Sequence, residues 1–357
     1  MIKTIPNPIL QGLTSSTINR GGPLGGGSDP VSEFDVDGAT YYAVAPTGHT
    51  YSAEQTTNYS TRKYNTLSAA YAALTTAPAT PRVINMIGDW TGVTDTTGVT
   101  FLSSAMNTET PANYTLVRGI GDARCTGLWD AAGPAYRLDS TTGTGVYVRC
   151  AYLRLDGLQF TGAVYGTSSG VLRFAPTGDL TGDFRFSNLF VKNTRPNVGN
   201  AIMSINTRSG DTFRVWNCIL SSRSNGMCIR CGDGTISLNS CTFAQTGTGG
   251  FAVYKSSGTL AVTNCYASNV TYATFNNGVT SIVTTATSDT DGTAGLQNIP
   301  YTTDTFIGVT NDIENLNPAG GSPLLGAGTD TTGEDAPLNF DRNIAGDVRS
   351  SWNVGAF

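Results

Sequence analysis

Five octapeptides along the chain repeat one arrangement of apolar and polar positions. They are LRLDGLQF from Leu153, FRFSNLFV from Phe184, FRVWNCIL from Phe213, ISLNSCTF from Ile236 and LAVTNCYA from Leu260. Aligned on their first residues, columns one and three are apolar and columns two and four mostly polar. That is the period-two signature of a strand with one buried face. At column five, which holds Gly157, Asn188, Asn217, Ser240 and Asn264, the apolar positions shift from odd to even. Such a shift requires a sharp bend, and Gly and Asn tolerate the left-handed backbone a bend needs.

The octapeptides start 31, 29, 23 and 24 residues apart, periods that predict stacked coils, each adding a layer about 4.8 Å thick. A further strand is predicted in each coil, at VLRF from 171, IMSI from 202, MCIR from 227, FAVY from 251 and ATFN from 273. The asparagines of column five are expected to stack as a ladder of side-chain amides. YNTLSAAYAAL (64–74), with Asn65 as its N-cap, is the one good helix candidate, and with the apolar strand RVINMIG (82–88) it is placed to close the first coil.

Two segments resemble a known group of proteins. ATYYAVAPTGHTYS with YNTLSAAYAAL is similar to the opening of many right-handed parallel β-helix proteins of the pectate-lyase-like superfamily, and SPLLGAGTD with DRNIAGDVRSSWNVGAF resembles their closing segment. The resemblance spans residues 38–357. It implies an all-β, single-stranded right-handed parallel β-helix with an N-terminal capping helix. The expected organisation is an extended arm over 1–37, a strand and capping helix over 38–81, coils over 82–288 and a C-terminal capping segment over 289–357. The superfamily holds polysaccharide lyases, glycosidases, phage spikes and capsid decoration proteins, so fold alone does not select a function.

Composition narrows the choice. Charged residues are 13%, Gly numbers 43 and Lys occurs only at positions 3, 63, 192 and 255, as in a turn-rich β protein. A net charge of −5 argues against a nucleic-acid partner, and no run of apolar residues is long enough for a membrane span. The first residues carry no apolar export core. Seven Cys, three of them in column six (Cys218, Cys241, Cys265), read as free thiols filling the core. The spacing of Cys228 and Cys231 also fits half a zinc site, but no second close pair follows.

Catalytic signatures implied by the resemblance are incomplete. Arg195 and Pro196 adjoin, without the second arginine of the pectate-lyase element. The glycosidases' Asp-Asp pair is missing, and His49 is the only histidine. Carboxylate pairs such as Asp179 with Asp183, or Asp122 with Asp130, read as turn residues. No catalytic residue, cofactor or metal is therefore assigned. Column two offers Arg154, Arg185 and Arg214 on the outward face, with Asp156 and Asp183 beside them. They form either a solvated ionic ladder or a docking stripe for an anionic sugar or an acidic neighbouring subunit.

The Gly/Pro-rich start, with isolated apolar anchors Ile2, Ile5, Ile9, Leu10 and Leu13, reads as an attachment arm. The function expected is that of a non-enzymatic component of a virus surface: a tail spike, tail fibre or capsid decoration protein. It docks on other virion proteins through 1–37, forms a homo-oligomer (a trimer above all), and contacts host polysaccharide. The alternative is a secreted polysaccharide lyase or glycoside hydrolase.

Overall fold

The computed structural model describes residues 32–356, apart from 75–78, 102–109, 141–145, 163–169, 176–180, 195–200, 207, 223–227, 246–251, 256, 269–274, 277–278, 284, 288–294, 311–312, 332–343 and 345–351. The chain is a parallel β-helix. Ten strands stack into one parallel sheet (sheet A) and seven into each of two others (sheets B and C). Each octapeptide contributes a strand to sheet A, bends at column five and continues into sheet B. Leu153–Asp156, Asp183–Ser187, Thr212–Trp216, Thr235–Asn239 and Thr259–Thr263 are neighbours in sheet A. Gln159–Gly162, Phe190–Asn193, Ile219–Ser222, Thr242–Gln245 and Tyr266–Ser268 are neighbours in sheet B. The further strand of each coil lies in sheet C, as at Leu172–Phe174, Met203–Ile205, Ile229–Cys231, Val253–Lys255 and Phe275–Asn276.

The octapeptides stack in register, so Phe184 pairs with Phe213, Phe213 with Ile236 and Ile236 with Leu260. Inside, the rings of Phe184 and Phe213 lie stacked with centroids 4.4 Å apart, and Phe174 reaches from sheet C to within 4.7 Å of Phe186. All seven cysteines are buried and none forms a disulfide.

Column five adopts the predicted left-handed conformation throughout, with φ of 65° at Gly157, 55° at Asn188, 51° at Asn217, 49° at Ser240 and 53° at Asn264. Four of these residues donate their main-chain N–H to the column-four carbonyl of the next coil: Gly157 to Ser187, Asn188 to Trp216, Asn217 to Asn239 and Ser240 to Thr263. The amide ladder is shorter than expected. Asn217 donates to Asn188 at 3.3 Å, but Ser240 interrupts the file. Asn264 instead clamps the main chain of Thr329, giving Nδ2 to its carbonyl and accepting its N–H, both at 2.7 Å.

Two helices precede the coils. α1 (Ala53–Tyr59) has a capping box between Ser52 and Gln55. α2 (Leu67–Ala72) is the expected cap, but its N-cap is Thr66, whose hydroxyl accepts the Ala69 N–H, and not Asn65, whose amide donates to the carbonyl of Ala45. Buried Asp95 accepts the Leu67 N–H at 2.8 Å and the Tyr136 hydroxyl at 2.9 Å, tying the helix to the coil beneath it.

The C-terminal segment lies along the side of the solenoid. Phe306–Thr310, Ile313–Pro318 and Leu128–Asp130 form an antiparallel sheet. Phe306, Leu316, Leu324 and Val354 pack against Phe190, Ile219 and Tyr266 on the outer face of sheet B. The strands of sheet B at 159–162, 190–193, 219–222 and 242–245 are consequently buried at every position.

Replacing Asn217 by Ala forces a β-carbon-bearing residue without an amide into the left-handed bend. It is expected to cost about 1–3 kcal/mol in urea unfolding, and Asn217→Gly less. Equal stability of the alanine variant and the parent contradicts the bend assignment.

Candidate functional site

The outer face of sheet A changes character along the solenoid axis. Over its first coils it is covered by α1 and residues 32–37. Phe34 packs on Tyr41 and Tyr59 at 5.1 and 5.3 Å. Beneath it runs a polar network centred on Arg118, a residue only 4% exposed. Arg118 gives Nε to Asn85 at 2.9 Å, Nη1 to Asp35 at 2.8 Å and Nη2 to the carbonyls of Ser32 and Glu33. Asn85 donates to the Glu33 carbonyl at 2.9 Å. The Glu33 carboxylate takes both the Tyr59 hydroxyl and the Gln55 amide. Burial pushes the Tyr59 pKa up, so that hydroxyl remains a donor. Residues 32–35 thus belong to the folded body, and the arm's anchors Ile2, Ile5, Ile9, Leu10 and Leu13 lie outside the described residues.

Farther along, the arginine column appears as predicted. Arg154 pairs in register with Arg185, and Arg185 with Arg214. Its partners differ from the sequence expectation. Asp183 bridges two arginines, accepting Arg185 Nε and Nη2 at 2.9 and 2.8 Å and Arg214 Nη1 at 2.7 Å. Asp156 does not serve Arg154. It holds Arg124 at 2.6 Å and also accepts Ser187 Oγ and Asn188 Nδ2, each at 2.6 Å. The asparagine file therefore ends in an ion pair, running Asn217, Asn188, Asp156, Arg124. A glycine is required at Gly157, where a β-carbon would stand 2.6 Å from Arg124 Nη1. Arg154 instead lies flat on Tyr114, with the guanidinium carbon 3.4 Å from the ring centre.

Burial drives the Asp156 carboxyl up, but the Arg124 guanidinium and the Ser187 and Asn188 hydrogen bonds outweigh it and hold its pKa below 3.8. Two further aspartates have structural duties too. Asp211 accepts the N–H of Gly182 and of Arg208, and Asp95 anchors α2. Asp179 and Arg195 lie outside the described residues.

Sheet C carries a face the sequence reading missed. Its strands from Val146–Val148 to Val253–Lys255 are three residues long, with the middle side chain outward, so Tyr147, Arg173, Ser204, Arg230 and Tyr254 form one column in register. Arg149 and Arg173 both approach the Tyr147 ring, at 5.7 and 4.9 Å. The signal existed in the order apolar–polar–apolar of LRF, MSI and IRC, but three residues are too few to show a period.

The Cys228 and Cys231 spacing does not gather a metal site. Burial pushes both thiols up to about 12. Among the described residues no three His, Cys, Asp or Glu side chains come together in a way that could hold a metal. No helix of the described residues is long and apolar enough to cross a membrane.

No protein-family model matches the chain, and no curated protein matches it. Among solved structures, the crystal structure of pectate lyase Pel9A is similar at 14% identity and a TM-score of 0.40, covering 89% of this chain and 96% of that one. The architecture given above rests on this chain's own strand register.

Because the Asp156 pKa is depressed, its pairing stabilises the fold fully above the ordinary carboxylate value and fades as pH falls through the lower folded value. Asp156→Asn strands Arg124 and is expected to cost about 3 kcal/mol at pH 7. In thermal melts the gap between parent and variant should narrow on acidification. A gap independent of pH contradicts the pairing.

Proposed function

We propose that the chain is a non-enzymatic structural protein of a virus particle, a spike, fibre or decoration component. It attaches through its N-terminal arm and presents a rigid β-helix to the host surface. The observation that carries this reading is the root of the arm. A free Gly/Pro-rich tail needs no anchorage, yet residues 32–35 are held by a buried guanidinium, a buried amide and an aromatic cluster spread over several coils. Load entering through residues 1–31 passes into sheet A through that junction. Stacked coils suit the task, since they pair nearly all backbone groups and leave few edges open. The engagement of Asp156, Asp183, Asp95 and Asp211 in structural bonds supports the non-enzymatic side of the reading.

Host glycan contact is assigned to sheet C. Tyr147 and Tyr254 supply flat faces of the kind sugar rings stack on, and Arg173 and Arg230 between them supply hydrogen-bond donors.

Particles assembled with a chain lacking residues 1–31 test the attachment role. The truncation keeps Glu33, Asp35 and Arg118, so the melting temperature should hold while incorporation falls by about tenfold or more, the loss expected when over ~1.4 kcal/mol of docking energy is removed. Undiminished incorporation contradicts the proposal. Release of new reducing ends or unsaturated products from polysaccharides contradicts its non-enzymatic part.

A further inference from the structure

The arginine column holds more charge than its partners meet. Stacking on Tyr114 occupies the face of the Arg154 guanidinium but not its N–H edge, for which the described residues supply no acceptor. The next arginine in register, Arg185, gives Nε and Nη2 to Asp183 and keeps a buried Nη1 without a partner. Asp183 is already shared with Arg214, and Asp156 belongs to Arg124. Two guanidiniums on successive coils, about 4.8 Å apart along the axis, thus have a share of one carboxylate between them. Their repulsion and the burial of Arg154 both act to lower the Arg154 pKa.

We infer that Arg154 and Arg185 form a docking site for a tetrahedral oxyanion, a phosphate or sulfate ester carried by a surface polymer. A carboxylate spans two levels with only one oxygen on each guanidinium, as Asp183 does between Arg185 and Arg214, whereas a phosphate or sulfate ester brings three terminal oxygens and so meets two donors at different levels with one to spare. Seated on the part-exposed edge of Arg154, the anion lies one coil from Arg185, whose Nη1 has no partner among the described residues. Arg214, the next in register and 30% exposed, extends the same line along the axis. The site lies on sheet A and stands independently of both the arm and the sheet C column.

Calorimetric titration of the full chain with inorganic phosphate, and separately with inorganic sulfate, tests it, with ionic strength matched by sodium chloride. Saturable binding of either ion is expected, weakened about tenfold or more in Arg154→Ala, with the melting temperature checked in parallel. Arg154→Lys keeps the charge but not the forked edge and should fall between the two. It carries the comparison if the alanine variant does not fold. Tighter phosphate binding identifies a phosphate ester as the natural group, and tighter sulfate binding a sulfate ester. No heat beyond that of chloride for both ions, or unchanged binding in the Arg154 variants, overturns the site. Binding of polyaspartate alone also overturns it, in favour of an acidic protein partner.

Discussion

A residue with positive φ stands at the same point of five successive coils, and for Asn188, Asn217 and Ser240 the main-chain N–H crosses to the coil beyond. That bend fixes where sheet A ends and sheet B begins. Moving it by one residue would turn every later side chain to the opposite face, taking Cys218, Cys241 and Cys265 out of the core and Phe190 and Ile219 away from the C-terminal segment. The rest of the molecule is arranged around this line. Arg124 and Asp156 close one end of its polar file, and the main chain of Thr329 closes the other.

Most of sheet A was legible in the sequence because one face meets the core and the other meets water or a polar cluster. The bend was legible because Gly, Asn and Ser replace the alternation at a fixed column. Sheet C strands were found by position, though their outward column was not, as Tyr147, Ser204 and Arg230 share no chemistry a single coil could reveal. Sheet B is the instructive case. Its strands QFTG, FVKN, ILSS and TFAQ are buried on both faces, since residues distant in sequence cover the outside, and doubly covered strands lose their alternation. The helix α1 carries a Ser52–Gln55 capping box, but its seven residues show too little apolar periodicity to stand out.

The candidate site was legible only in part. Column two placed Arg154, Arg185 and Arg214 together, which strand register alone decides. The identity of their partners depended on Arg124 and Tyr114, which arrive from the preceding coil. The same limit applies to the root of the arm. Arg118, Asn85 and Glu33 are far apart in the chain and meet only because the first coils stack and α1 folds over them. A long-range polar junction of this kind leaves no local trace, yet it ties the proposed attachment segment to the rod.

Site-resolved hydrogen exchange addresses the bend most directly. If the column-five residues hold the coils together, the amides of Asn188, Asn217 and Ser240 should exchange as slowly as those of Phe213 and Ile236 in sheet A, by global opening of the solenoid. Rapid exchange at the three bend amides, with both flanking sheets still protected, would show that the coils hold together without them.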